Sequence, residues 1–158
     1  MLCIYPNEYL TGNEKLRDVY RYAEEYELPI IFHTGTSVFP GARLKYGNPE
    51  YIDDVAIDFP DLKIVIAHAG RPLWMNTAVY LARRHKNIYI DISSIPPRKL
   101  TDYLPNIHTI ENKLMYGSDW PGFGVRTVSE NIEQILNLPL SSEFKSKLLF
   151  DTANMVFK

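Results

Sequence analysis

Three short apolar runs in this sequence each stop at a side chain able to do chemistry. Pro29-Ile30-Ile31-Phe32 runs into His33-Thr34-Gly35, and Lys63-Ile64-Val65-Ile66-Ala67 runs into His68-Ala69-Gly70. Leu114-Met115-Tyr116 runs through Gly117-Ser118 into Asp119-Trp120-Pro121. An unpaired carboxylate in a core costs several kcal/mol, so Asp119 is out of place inside the fold. It is well placed at the carboxyl edge of a parallel sheet, where open α/β folds and α/β barrels gather their chemistry. Imidazole nitrogen and carboxylate oxygen are the usual ligands of zinc and similar divalent ions. A catalytic metal lowers the pKa of a water towards neutrality, and a nearby histidine can then move protons. Taken singly, each residue has a plain structural reading, as a hydrogen-bonded loop histidine or a capping aspartate. Recurrence on three strands argues for a shared rim.

The remaining residues must supply the elements that carry this rim. At 158 residues, the chain is long enough for one domain with a real core. Its 46% hydrophobic and 23% charged residues are those of an ordinary soluble globular protein. A net charge of −2 gives no electrostatic case for nucleic acid or anionic lipid. The single cysteine, Cys3, excludes an internal disulfide and a thiolate cluster. No apolar run approaches the roughly 20 residues that cross a bilayer, and no charged-then-apolar leader precedes Leu2. A cytoplasmic location is the expectation.

Five strands, each followed by helix, are predicted. Leu2–Tyr5 opens the series and Pro6 ends it. Thr11 and Glu14 have capping-box spacing, ahead of an apolar stripe of Leu16, Val19, Tyr20 and Ala23. After the His33 strand, Asn48-Pro49 reads as a helix start, with Ile52, Val55, Ala56 and Phe59 on one face. Pro72–His85 is helical from near Trp74, and Asn87–Asp91 is the fourth strand. A short helix is expected over Leu100–Leu104. Thr127 and Glu130 repeat the capping-box spacing before Ile132, Ile135 and Leu136. Ser141 or Ser142 begins a last helix with Phe144, Leu148 and Leu149 inward, and Asp151–Phe157 adds a final turn. Strands that are apolar without alternation are those of a parallel sheet covered on both faces. Each unit of roughly 25–35 residues is close to one eighth of a (β/α)8 barrel. A doubly wound sheet would give the same order, although no G-x-G-x-x-G follows a strand.

The phrases LPIIFHTG, LKIVIAHAG, NIYIDIS and LMYGSDWP, in this order, resemble the amidohydrolase superfamily. The branch that they resemble most is the amidohydrolase-related one, which includes aminocarboxymuconate-semialdehyde decarboxylase and resorcylate-type decarboxylases. The resemblance implies an α/β fold, a partial (β/α)8 TIM barrel of approximately strands four to eight with their helices. Residues 1–158 would then be the C-terminal part of the domain, without strands one to three or the H-x-H pair that supplies two metal ligands. It further implies that His33 is a metal ligand and that His68 orients or deprotonates the attacking water. Asp119 would ligate the metal or handle protons. The cofactor would be a divalent metal, with zinc the first choice. The implied activity is that of a metal-dependent hydrolase acting on a small carboxylated, amide or lactone substrate, impaired in this chain alone. Non-oxidative decarboxylation is the alternative.

Arg71 stands where a small residue is expected, as a grip for a substrate carboxylate or as a solvated loop charge. Trp120 and Trp74 are candidates to line a pocket, with packing as the competing role. Asp91 is expected to hold loops through a hydrogen bond, His85 to complement a helix dipole, and His108 to be exposed. Cys3 is expected to be a small buried residue. Five strands of eight leave two open edges and an inner face open to water. An oligomer or a complementing N-terminal half-barrel is therefore the expected partner, beside a small-molecule substrate. Two rival functions remain: a non-catalytic half-barrel binding module, and a doubly wound nucleotide-binding protein.

Overall fold

The computed structural model describes residues 2–4, 13–122 and 125–158. Five strands form one sheet: β1 (Leu2–Ile4), β2 (Ile30–Phe32), β3 (Ile64–Ile66), β4 (Ile88–Asp91) and β5 (Leu114–Met115). All neighbouring pairs are parallel and the spatial order is β1-β2-β3-β4-β5. A doubly wound sheet reverses its strand order at a switch point. Here the order never reverses, as in a (β/α)8 barrel, so the chain forms a partial barrel. Each strand lies within two residues of its predicted position. Tyr5, Pro6, Thr11 and Gly124 fall outside the described residues.

The helices on the outer face are α1 (Arg17–Glu25), α2 (Ile52–Asp58), α3 (Met75–Arg84), α4 (Leu100–Tyr103) and α5 (Val128–Leu136). The chain ends with α6 (Ser142–Ser146) and α7 (Thr152–Val156), joined by a π turn over Lys147–Asp151. Asn13 accepts from the Lys15 N–H to cap the 3-10 turn that leads into α1, the place assigned to Thr11 in the sequence reading. Asn48 caps the 3-10 turn before α2, Thr127 caps α5 and Ser141 caps α6, each accepting a backbone N–H. Each such cap stabilises its helix by about 1 kcal/mol. Leu136 is exposed, because Ile135 and Leu138 already fill the inward face of that segment.

Alternation along the strands divides the sheet into two faces. Ile30, Phe32, Ile64, Ile66, Ile88, Ile90 and Leu114 pack against the helices as the main core. Val65 and Met115 point the other way and are buried under Val156, with Ile31, Tyr89 and Ala153 partly buried around them. The inner face is therefore not simply open to water, because α7 roofs part of it. The edge of β5 is also partly covered, since the Tyr116 N–H donates to the Leu148 carbonyl in the π turn at 2.7 Å. A short terminal segment thus offsets some of the exposure expected of an incomplete barrel.

Candidate functional site

Parallel strands place their last residues on one edge, and this edge gathers the polar side chains. After β2 the chain enters His33 and Thr34. The buried Thr34 hydroxyl donates to the Ala67 carbonyl at 2.6 Å and accepts from the Gly70 N–H at 3.0 Å. That stitch fixes the end of β2 against the turn after β3. Gly35 adopts φ +88°, and a side chain there would strike the Arg71 carbonyl at 2.2 Å, so only glycine lets the two loops touch.

The turn after β3 holds His68 at φ 61° and Ala69 at φ 50°, a conformation that costs about 1–3 kcal/mol per residue. It aims the imidazole across the sheet edge. His68 Nε2 lies 3.2 Å from His33 Nδ1, with the rings edge to face at 4.9 Å. On its other side, His68 Nδ1 lies 2.8 Å from the Ser93 hydroxyl. Burial pushes the His33 imidazole down to about 4; the neighbouring His68 lowers it further and the Asp119 charge raises it. His33 is therefore neutral at physiological pH, as a metal ligand must be.

At the end of β4, Asp91 accepts the Ser93 N–H at 2.5 Å. The residue as a whole is half-buried, but its carboxyl is enclosed: a Cβ at Gly117 would sit 2.1 Å from Asp91 Oδ2. Burial pushes this carboxyl up, and hydrogen bonds from Ser93 and His68, with the charge of His68, pull it down. Ser94, at φ 59°, donates from its hydroxyl to Asp119 Oδ2 at 3.0 Å. Asp119 itself sits at φ 53° after the Gly117-Ser118 turn. Ser93 and Ser94 thus divide between the imidazole on one side and the carboxylate on the other. Neither serine stood out in the sequence, although the run Asp91-Ile92-Ser93-Ser94 closes a strand just as the two histidines do.

The candidate residues are not brought together equally. His33 and His68 meet. Asp119 shares their rim through Ser94, yet no group of three or more metal-ligating side chains occurs among the described residues. Two imidazoles and a carboxylate are suitable donors for a divalent ion, but they do not by themselves complete a site. Arg71 is half-buried with its Nε enclosed and without a hydrogen-bond partner, which departs from a solvated loop charge. Trp120 is 62% exposed and Trp74 is half-buried at the start of α3. His85 is the C-cap residue of α3, at the helix end expected, and its Nε2 also lies 2.6 Å from Asp53 Oδ1 on α2. His108 is exposed, as expected. No described helix is long and apolar enough to cross a membrane.

Comparison with known proteins gives the same architecture. The structure is similar to an uncharacterised TIM-barrel protein from Bordetella bronchiseptica, with 25% identity and a TM-score of 0.80, covering 98% of this chain and 56% of that one. It is similar to 5-carboxyvanillate decarboxylase from Sphingomonas paucimobilis at 17% identity and TM-score 0.69, covering 98% of this chain and 57% of the other. Dihydroorotase from Campylobacter jejuni matches at 19% identity and TM-score 0.68, again with 98% and 56% covered. The chain therefore spans little more than half the length of these structures. No curated protein matches it. The amidohydrolase family model matches residues 2–158. With that match over nearly its whole length, the chain belongs to the amidohydrolase family.

Proposed function

We propose that this chain carries the proton-handling half of a metal-dependent hydrolase site, acting on a small carboxylated, amide or lactone substrate. The observation that supports this reading most is the contact of His68 Nε2 with His33 Nδ1, 3.2 Å apart on the carboxyl edge of a barrel-type sheet. In this reading His33 and Asp119 hold a divalent metal, zinc by preference, and His68 takes a proton from the attacking water. The metal, when bound, would supply a water of lowered pKa. In the same reading Asp119 returns the proton, and the Ser94 hydroxyl donates to one of its oxygens. Arg71 and Trp120 would meet the substrate, the guanidinium its carboxylate and the exposed indole its apolar part. The chain stands for strands four to eight of the barrel, and further metal donors come from an N-terminal half-barrel or an oligomeric partner. Activity of this chain alone is then low.

Decarboxylation is the second reading. Three of the similar structures are named as decarboxylases, one of 5-carboxyvanillate and two of 2,6-dihydroxybenzoate. Loss of carbon dioxide from such acids needs a proton donor at the same rim, a role that His68 or Asp119 fits.

The test is zinc content by elemental analysis, with turnover of an ester, a lactone and a β-resorcylate-type acid. Expected are substoichiometric zinc that is lost in His33→Ala, and weak turnover that falls about 10²-fold or more in His68→Gln. Zinc uptake unchanged in His33→Ala would remove the metal role. Stoichiometric zinc with vigorous unaided turnover would contradict the need for a partner.

A further inference from the structure

The hydrogen bonds around His68 form a line that the hydrolase reading does not use. His68 Nε2 faces His33 Nδ1 at 3.2 Å and His68 Nδ1 faces the Ser93 hydroxyl at 2.8 Å. Ser93 is buried, and its backbone N–H is already committed to Asp91 Oδ1 at 2.5 Å. A neutral imidazole carries one proton and one lone pair, so the group at one nitrogen decides what the other nitrogen offers. A serine hydroxyl has a single proton, whereas an ionised carboxylate can only accept.

We infer that Asp91 and Ser93 are positioning residues that set the tautomer of His68. The Ser93 hydroxyl donates to the Asp91 carboxylate and accepts from His68 Nδ1–H, which leaves the His68 Nε2 lone pair facing the rim. His33 then donates from Nδ1 to that lone pair. When a water or substrate takes the place of His33 at that lone pair, His68 Nε2 is the atom that receives its proton.

Two further features support this direction. Burial pushes the Asp91 carboxyl up, and the Ser93 side chain and backbone together with the His68 backbone counter that push, which puts all three beside the carboxyl. Asp91 therefore reaches the His68 ring through Ser93. Gly117 contributes by its lack of a side chain, since a Cβ there would lie 2.1 Å from Asp91 Oδ2 and displace the carboxylate. The glycine of the GSDWP phrase thus keeps room for the first member of the line, while its aspartate joins the rim through Ser94.

The inference rests on the reading of His68 as the proton-handling group, but its test needs neither substrate nor metal. Imidazole ¹⁵N shifts of the labelled, metal-free chain are recorded at about pH 8, above the ordinary histidine pKa. Expected is an Nδ1–H tautomer for both His68 and His33. In Ser93→Ala the His68 signals should move towards the Nε2–H form, and Ser93→Thr should restore them. Backbone amide spectra of each variant report whether the sheet is intact. A wild-type His68 with its proton on Nε2 would overturn the assignment without any variant. So would a tautomer unchanged between Ser93→Ala and wild type. Loss of hydrolase activity with a correct tautomer would count against the proposed function alone.

Discussion

The two edges of this sheet use polar side chains differently. At the amino edge they serve the backbone. Asn87 is buried and donates to the Phe59 and Leu62 carbonyls, each at 3.0 Å, tying the entry of β4 to the loop before β3. Lys113 reaches the carbonyls of His85 and Lys86 and lies 4.5 Å from the centre of the Tyr89 ring. At the carboxyl edge, Thr34 and Asp91 also serve the backbone, but side chains serve one another as well: His33 with His68, His68 with Ser93, and Ser94 with Asp119. Of the five non-glycine residues described with positive φ, four belong to this edge, namely His68, Ala69, Ser94 and Asp119; only Glu27 lies elsewhere. An amino edge that satisfies carbonyls lowers the energy of the fold. A carboxyl edge that twists the backbone to make side chains meet raises it, which is how strained functional sites are maintained.

If that contrast is right, Gly117→Ala should have the largest effect of a single methyl group. The new Cβ would lie 2.1 Å from Asp91 Oδ2, within a wall that cannot retreat without moving Ser93 and His68. A cost of about 3 kcal/mol or more is expected, at the upper end for overpacking. The His68 ring signals should shift with it. Urea denaturation measures the first effect and ring NMR the second. Wild-type stability would mean that the carboxylate is less tightly enclosed than its position indicates.

Asn87→Ala tests the other edge. It strands two buried carbonyls and should cost about 2 kcal/mol. Because Asn87 touches nothing on the rim, the His33 and His68 signals should stay in place. A change in the imidazole shifts comparable to that in Gly117→Ala would show that the two edges are not independent, and the contrast would fail.

The legibility of the sequence follows the same division. Strand positions were readable because each is an apolar run bounded by a turn residue or a polar stop, and Asn48, Thr127 and Ser141 cap as their side chains predict. The sequential strand order was not readable from periodicity, which is identical in a barrel and a doubly wound sheet; only the resemblance separated them. His33 and His68 were legible because an imidazole ending an apolar strand is conspicuous. Ser93 and Ser94 were not, since a serine gains its role from whichever neighbouring strand end it faces. The cover that Val156 gives Val65 and Met115 was equally hidden, because a seven-residue terminal turn carries no mark of the face that it will meet. His85 was half legible: its run of basic neighbours indicates the helix end where it lies, while its partner Asp53 is 32 positions away on α2.

The smallest predicted effect is a pH dependence confined to the carboxyl edge. His33 titrates near 4 in the folded chain because burial and the adjacent His68 disfavour its charged form, against an ordinary histidine value of 6.5. The unfolded chain therefore binds more protons between those two values, and stability rises with pH across that window and is flat above it. Allowing for solvent screening of the partly exposed ring, the loss on acidification from neutrality to about pH 4 is on the order of 1–2 kcal/mol. Asp91 acts in the opposite sense. Its carboxyl is pushed up in the fold, so the folded state holds that proton more firmly, and this contribution fades as pH rises through the folded value. The two oppose each other, so the wild-type slope alone is ambiguous and the difference between variants is what discriminates. Urea midpoints of the metal-free chain and of His33→Gln, measured from pH 4 to 7, should converge at the acid end and separate towards neutrality, with the wild type steeper. Parallel curves would mean that His33 carries no desolvation cost, and the carboxyl edge would then lose its claim to be the strained one at that residue.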